Sequence, residues 1–460
     1  MGSALRKIQF GRESTAGSKV AATAKIMGAL TMEEKLTLHR PDEERGSLAD
    51  VHRTLITGED VDLSFEGDMT FEQVMYFLNM GMLQKLEGDT STPSEAKEDN
   101  NSVFTDLTNA IDDSTSTYVT IVGFVAAEDK ILVGSASKFR AIKIDMGSVV
   151  NAETSTVTVK CSDGASGWLA CTLVQDTTLS GGASLAQDGT IEFTPNASWA
   201  TDTIDSDDEY WVSLEFSANL TSNIRITELY TISETVVWTF EPSWTSANTP
   251  QSFTIEYGDD VQEHETEYCV ARSIEISGAM DDVIKLKAEM FGRNFAADTY
   301  TSLSDPSSIT PAAANKTTLA IDAIGGTIGN TPKSSTLVDF SWKFESGFIP
   351  SKHGGANSYF DLVAEKKKKL VVSATIVFNS GTEAQRLIWE AKTRQLFRIE
   401  TTGASPNKLT LDFAGVYTSW SSLEERDGED VVKVTIEGEY DTTDTLYTTV
   451  VVTNEVASLI

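Results

Sequence analysis

The sequence predicts a mainly β protein with two tandem β-sandwich or barrel domains, each with one flanking helix, and a further β-sandwich inserted into the first. Three observations carry this prediction. Short β-branched segments alternate polar and apolar residues at period two along much of the chain. Several of these segments recur in the same order towards the C-terminus, and a central block has a different, Gly-rich texture. Together they indicate a repeated domain interrupted by an insertion.

Composition narrows the class of protein. The 460 residues include 36 Lys+Arg and 69 Asp+Glu, giving a net charge of -33, and 40% are hydrophobic, enough to form real cores. This charge argues against a protein that mainly grips nucleic acid, because phosphate binding needs concentrated Lys and Arg. The N-terminus lacks the apolar core of a signal peptide, and no run of about 18 apolar residues occurs. We therefore expect a protein made in a cytoplasm, with no membrane span.

The residues that commonly bind metals or form disulfides are few. Cys161, Cys171 and Cys269 are too few for a disulfide framework and lack metal-site spacing. Cys161 and Cys171 can face each other across a hairpin, although free buried thiols are favoured. The histidines form no HxxxH or HExxH pair; they are His39, His52, His264 and His353.

The first block of the chain reads as polar loops followed by a strand and a helix. Residues 61–65 alternate as a strand, and Thr70 with Gln73 has capping-box spacing for a helix that Gly81 can end. Residues 86–118 are rich in Ser, Thr, Asp and Asn, which predicts a linker.

Residues 119–232 have the short, regularly spaced strands of a jelly-roll or immunoglobulin-like β-sandwich. We place the domain boundaries as follows: 1–110 for the first segment of copy 1, 111–232 for the insertion, 233–312 for the second segment of copy 1, and 313–460 for copy 2.

The internal repeat rests on four matches. They join 251–256 to 395–400 at an offset of 144, 274–278 to 411–415 at 137, 282–289 to 430–437 at 148, and the capping box 70–73 to 382–385 at 312. In the second helix Leu387, Ile388 and Ala391 supply the predicted apolar face. We expect one topology in both copies, with Thr70 superposed near Thr382 and Phe253 near Phe397.

Four short motifs each allow a functional interpretation, such as ligand binding, and a purely structural one. Residues 325–329 are glycine-rich but lack the Lys-Ser/Thr of a phosphate loop, so a turn is favoured. Residues 263–267, EHETE, can bind a metal, but without a second His a solvated strand edge is favoured. Residues 205–209, DSDDE, offer oxygen ligands for calcium yet lack the loop's glycine and distal Glu. Residues 366–369, KKKK, predict either a solvated loop or protected edge, or contact with an acidic neighbouring subunit.

No linear motif for catalysis stands out, so we predict no catalytic, cofactor-binding or metal-binding residues and no enzyme activity. An enzyme remains the third class of function, because active sites are assembled in space.

Several segments resemble the tail tube (major tail) proteins of long-tailed bacteriophages. They are 11–17 (GRESTAG), 41–48 (PDEERGSL), 65–73 (FEGDMTFEQ), 238–242 (WTFEP), 321–326 (IDAIGG) and 451–454 (VVTN). The resemblance covers roughly 1–85 and 236–460, whereas the insertion resembles modules that decorate phage tails. It implies a structural virion protein whose tail-tube-like domains join into rings, with the rings stacked into a tube for DNA, assembled in the host cytoplasm.

The resemblance also implies specific partners. Two tube domains per chain suggest a homotrimer with pseudo-six-fold symmetry, meeting other tail proteins at the tube ends, with no membrane and no cofactors. DNA is expected to pass without specific binding through an acidic lumen, to which Asp62, Glu66 and Asp68 can contribute. The inserted domain is expected to project outside.

The alternative class is a glycan-binding or adhesin-type surface β protein. Its binding platform would be the aromatic residues of the insertion, although core packing is the commoner fate of each. These residues are Trp168, Trp199, Tyr210 and Trp211.

Overall fold

The computed structural model describes residues 6–43, 45, 51–86, 90–114, 116–126, 128–233, 236–259, 261–306, 309–354, 358–456 and 459. Most of these residues lie in antiparallel β-strands, so the mainly β prediction is confirmed. The chain forms two compact units, one of residues 1–86, 238–454 and 459–460, and one of residues 87–237 and 455–458. We call them the larger unit and the inserted unit. No helix among the described residues is long and apolar enough to cross a membrane.

The larger unit contains two sets of strands, each with one helix. The first copy comprises β1 (Lys7–Arg12), β2 (Ala24–Lys25), β3 (Ala29–His39), β4 (Leu55–Asp68), α1 (Val74–Gly81) and β5 (Gln84–Leu86), and, after the inserted unit, β19 (Val236–Phe240), β20 (Phe253–Gly258), β21 (Glu263–Ala279) and β22 (Lys285–Ala297). The second copy comprises β23 (Thr317–Ala323), β24 (Leu337–Glu345), β25 (Phe348–Ser351), β26 (Leu362–Glu365), β27 (Lys369–Val377), α2 (Ser380–Ala391), β28 (Gln395–Thr402), β29 (Lys408–Trp420), β30 (Glu424–Arg426), β31 (Glu429–Gly438) and β32 (Thr448–Asn454).

The inserted unit is built from two antiparallel sheets around one apolar core. Its strands are β6 (Thr90–Ser91), β7 (Glu95–Asn100), β8 (Val103–Asp106), β9 (Val119–Ile121), β10 (Asp129–Ser135), β11 (Phe139–Met146), β12 (Val157–Ser162), β13 (Trp168–Ala170), β14 (Thr172–Asp176), β15 (Gly189–Thr194), β16 (Asp202–Ile204), β17 (Asp207–Phe216) and β18 (Ile224–Ser233). One sheet runs β13-β12-β17-β10-β7-β8 and the other β14-β15-β11-β18-β6.

The polar stretch 86–118 is not the predicted linker. Within it β7 pairs with β10, β8 pairs with β7, and Ala110 is fully buried in the core of the inserted unit. Polar side chains are compatible with these strands because β8 lies at the end of its sheet, where much of its surface meets water. The boundary placed between residues 110 and 111 therefore falls inside this unit, whose first residue is Glu87.

The two copies of the larger unit have the same strand order. In the first copy the pairings run β1-β20-β21-β22-β4-β3, and in the second they run β23-β28-β29-β31-β27-β24. The helices α1 and α2 follow the equivalent strands β4 and β27. Both the strand pairings and the helix positions agree with the predicted internal repeat.

The pairings also give the residue equivalences, and one sequence match is out of register. Phe253 lies opposite Cys269 and Phe397 lies opposite Phe413, so β20 and β28 correspond at the predicted offset of 144. The strands opposite them, β21 and β29, therefore also correspond at an offset near 144 and not at 137. The match of 274–278 to 411–415 is wrong. A slip of seven residues would invert the faces of a regular strand, but β-bulges interrupt the alternation in both β21 and β29, so the sequence pattern does not fix the register.

The helix starts differ from the predicted capping boxes. In α2 the N-cap is Asn379, whose side chain accepts hydrogen bonds from the backbone of Gly381 and Thr382, so Thr382 is the third helical residue and not the cap. In the first copy Thr70 Oγ1 accepts a hydrogen bond from the Gln73 backbone, but regular helix begins only at Val74.

Candidate assembly surface

One sheet continues across both copies of the larger unit. Its order is β3-β4-β22-β21-β24-β27-β31-β29, and every neighbouring pair is antiparallel. The two copies join where β21 pairs with β24, from Ser273 opposite Glu345 to Ala279 opposite Asp339. We call this eight-stranded array the common sheet and the β21–β24 pairing the seam.

The common sheet has one apolar and one polar face, as period-two alternation requires. The apolar face is buried and includes Phe65, Ile276, Trp342 and Val372, none more than 2% exposed. On the other face, pairs of polar residues lie opposite one another across the strands. Examples are Glu66 with Lys287, Glu275 with Lys343, and Ser341 with Ser373.

The three acids predicted for a lumen lie on this polar face, and each has a cationic partner. Asp62 accepts from Arg272 at 2.8 Å and pairs with Lys35. Partial burial raises the pKa of Asp62, but Lys35 and Arg272 outweigh this effect, and the net shift is downward. Two further ion pairs lie on the same face; they join Glu66 to Lys287 at 3.2 Å and Asp68 to Lys285 at 2.7 Å. The acids therefore do not present bare negative charge.

Among the described residues, the common sheet has an open strand edge at each end. At one end β3 pairs only with β4. At the other end, the second half of β29 pairs with β31 on one side, while β28 pairs only as far as Gly415 on the other. The segment Val416–Trp420 therefore has one edge that no described strand covers. Such edges are ready to pair with another chain.

The two helices differ in how far they are covered. In α1, Phe77 is fully buried and packs on Phe10 and Phe65, with ring centroids 5.5 and 4.4 Å apart. The second copy covers the approach to this helix, because Asn454 Nδ2 donates to Phe71 O at 2.7 Å. In α2, by contrast, the predicted apolar face is not buried, and Leu387 is 57% exposed.

A buried lysine lies among the acids that suggested a calcium site. Lys97 is 3% exposed, and its Nζ lies 2.9 Å from Asp207, 2.8 Å from Asp106 and 3.5 Å from Asp205. Burial lowers the pKa of Lys97, but the hydrogen bonds to Asp106 and Asp207 outweigh it and raise the pKa overall. The ammonium group thus takes the place that a cation would take.

The segment 263–267 is neither an exposed edge nor a metal cluster. It begins β21, which pairs here with β20 on one side and β22 on the other. Glu265 pairs with Lys19 at 2.8 Å, Glu267 pairs with Arg293 at 3.1 Å, and His264 stacks on Phe295 at 4.3 Å. The described residues contain no group of three or more His, Cys, Asp or Glu arranged to hold a metal ion.

The glycine-rich motif lies in a loop, and the lysine-rich motif lies in a loop that ends at the first residue of β27. Residues 325–329 form the predicted turn after β23, where Gly325 and Gly329 have positive φ and donate to Asp444 and Asp322. In the lysine run, Lys366 and Lys367 are exposed, whereas Lys368 pairs with Glu365. Lys369 opens β27, which has partners on both sides and is not an edge.

The aromatic residues of the insertion are not gathered on its surface. Trp211 is fully buried and Trp199 is 3% exposed, packing edge-on against Phe139 at 5.2 Å. Trp168 and Tyr210 are half-buried, the latter against Trp199 at 5.7 Å.

The three cysteines are free thiols, but only two of them are buried as the sequence favoured. Cys161 and Cys269 are buried, and Cys171 is half-buried.

The sequence missed the two open edges, since pairing partners lie far apart along the chain. A scan of the sequence against protein-family models finds no match. A search of curated proteins finds none either.

Proposed function

We propose that this chain is a structural subunit that closes into rings, and that the rings stack into a tube of the bacteriophage tail type. The observation that carries the proposal is the common sheet, with an open edge at each end and one largely polar face. A sheet that ends in two open edges gains most by pairing each edge with the opposite edge of another copy. Ring closure leaves no edge exposed.

The number of chains follows from the repeat. Two copies per chain give six equivalent domains in a ring of three chains, with pseudo-six-fold symmetry. Three common sheets of eight strands then form one barrel of 24 strands. At roughly 4.8 Å per strand its circumference is about 115 Å, and strand tilt widens it further. Barrels of about 16–18 strands already enclose a water-filled channel.

The polar face lines this channel in the proposed ring. Lys285 and Lys287 point to the lumen but are neutralised by Asp68 and Glu66, so they offer little free charge to a phosphate backbone. DNA can then pass without specific binding, as the phage-tail resemblance suggests. Other tail proteins would meet the tube at its ends, and the assembled protein would belong to the virion.

The inserted unit is proposed to be a decoration that assembly does not need. β5 and β19, which flank it along the chain, pair with each other, with Thr239 opposite Leu86. The insertion therefore leaves and re-enters the larger unit at neighbouring points, a common arrangement for inserted domains. Replacing residues 88–235 with a short Gly-Ser linker should leave ring formation unchanged; a well-folded deletion variant that stays monomeric would contradict this.

Electron microscopy and native mass spectrometry of the purified protein test the main proposal. We expect rings or tubes whose smallest closed species has the mass of three chains. Isolated monomers at all concentrations, or rings of six complete chains, would overturn it. Monomers that bind a glycan array would favour the surface-adhesin class instead.

A further inference from the structure

We infer that the ring closes by a β-strand pairing between Val416–Trp420 of one chain and the open edge of β3 of the next. This inference rests on the proposed function, since it names the contact that joins the subunits. Its basis is the seam, where β21 of the first copy pairs with β24 of the second. β29 is the counterpart of β21, and β3 is the counterpart of β24. The pairing between chains therefore repeats the pairing within the chain.

The register of the new contact follows from the shared topology. Within the seam, Glu275 lies opposite Lys343. Glu275 also lies opposite Lys287 of β22, whose counterpart in β31 is Thr435, at the sequence offset of 148. Thr435 lies opposite Ser419, so Ser419 is the counterpart of Glu275.

The same procedure identifies the counterpart of Lys343 in the first copy. In the second copy, Lys343 lies opposite Val371 of β27, and Val371 lies opposite Glu437 of β31. In the first copy, Glu289 of β22 lies opposite Ser64 of β4, and Ser64 lies opposite Thr31 of β3. Because Glu289 and Glu437 are equivalent at the offset of 148, Thr31 is the counterpart of Lys343. Ser419 of one chain should therefore lie opposite Thr31 of the next, with Trp420 opposite Leu30. Both Ser419 and Thr31 are exposed in the single chain.

The segment that follows each of these strands, which we call its arm, supports the equivalence of β3 and β24. The segment between β24 and β27 packs on the first copy, where Phe360 is fully buried against Tyr268 and Phe291 at centroid distances of 5.3 and 5.5 Å. The corresponding arm of the first copy, formed by the outer parts of β3 and β4, carries uncovered apolar residues instead. These residues are Leu36, Leu38, Leu55 and Ile56, at 44, 46, 60 and 51% exposure.

Apolar side chains also lie near the open edge of β29 in the second copy, close to Trp420. Leu387 of α2 is 57% exposed, and Leu423, three residues beyond Trp420, is 53% exposed. Trp420 itself stacks on Trp389 of α2 at 6.2 Å. An apolar surface therefore adjoins the end of the open edge of β29 that would face Leu30 of the next chain. A second copy of this chain is the partner that offers the complementary strand edge.

Cysteine cross-linking tests the predicted register. The variant Thr31→Cys with Ser419→Cys should form disulfides between chains under mild oxidation, because paired strands bring the two Cα atoms within the roughly 4.4–6.8 Å that a disulfide needs. The matched control is Thr37→Cys with Ser419→Cys. Thr37 is an exposed threonine of the same strand, six residues and about 20 Å further along. All three substituted positions are exposed, so the reduced variants should unfold at the wild-type temperature.

On non-reducing gels we expect species of two and three chains from the in-register variant, at least about tenfold more abundant than from the control. Rings that form in the electron microscope without this cross-link would overturn the pairing and leave the proposed function standing. Cross-linked chains that remain open would support the pairing and overturn the ring. Monomers under all conditions would overturn both.

Discussion

The two copies of the larger unit share a strand order but differ in what covers them. In the first copy, β24 pairs with the second half of β21, the segment after β24 packs on Tyr268 and Phe291, and α1 is almost wholly buried. In the second copy, the equivalent part of β29 has an open edge, and α2 exposes Leu387. One topology therefore occurs in the same chain in a covered and an uncovered form. The first copy thus shows what the second lacks: a strand beside the second half of β29 and a cover over α2.

The difference also explains the composition of the two helices. Every helical residue of α1 except Tyr76 is buried, whereas α2 carries charged residues and a full capping box. Tertiary packing holds α1 in place without a side-chain cap at its first residue, while α2 needs local stabilisation in the separate chain.

The largest expected effect comes from truncating one apolar side chain in each helix. Phe77→Ala should lower the free energy of unfolding by about 3–5 kcal/mol, because it leaves a cavity between Phe10 and Phe65. Leu387→Ala should change it by less than about 0.5 kcal/mol in the single chain, since that side chain is mostly in water. Urea unfolding of dissociated protein measures both values.

The same pair of variants also separates folding from assembly. Leu387→Ala should weaken ring formation while leaving the chain stable. Equal losses of stability in the two variants would show that the helices are not covered differently.

A smaller effect is expected at the cap of α2. Asn379→Ala removes the side chain that accepts from Gly381 and Thr382, and should cost about 1 kcal/mol. Asn379→Asp retains an acceptor and serves as the control. If assembly buries α2 as the first copy buries α1, the Asn379→Ala defect in thermal unfolding should be smaller in rings than in single chains. An identical defect in both states would count against that burial.

The smallest effect concerns charge on the polar face. The pKa of Asp62 is held down in the folded state, so its ion pairs add stability above the unfolded pKa near 3.9, and this is lost as pH falls through the folded pKa. Asp62→Asn should cost at most about 1 kcal/mol at pH 7, since the site is partly exposed. The gap between variant and wild type should close as the pH falls below about 4 and through the lowered pKa of folded Asp62. A gap that widens on acidification would contradict the assigned ion pairs.

Much of the fold could be predicted from residues close together in sequence. Alternation at period two identified most strands, Gly325 and Gly329 mark a real turn, and the match of 251–256 to 395–400 is in register. Predictions that depended on residues far apart in the sequence were less accurate. Lys97 stands over 100 residues from Asp205, so nothing in the acidic segment, for which calcium was the less favoured interpretation, indicated the lysine that lies among its carboxylates.

By itself the sequence determined which residues face together along most strands, that a foreign block interrupts the first copy, and that two parts of the chain repeat. These features depend on backbone geometry over a few residues, which local composition records. Only the tertiary structure decided which strands pair, that the common sheet crosses from one copy to the other, and which edges remain open. Strand pairing is set by backbone hydrogen bonds between segments far apart along the chain, and any alternating strand can supply these bonds.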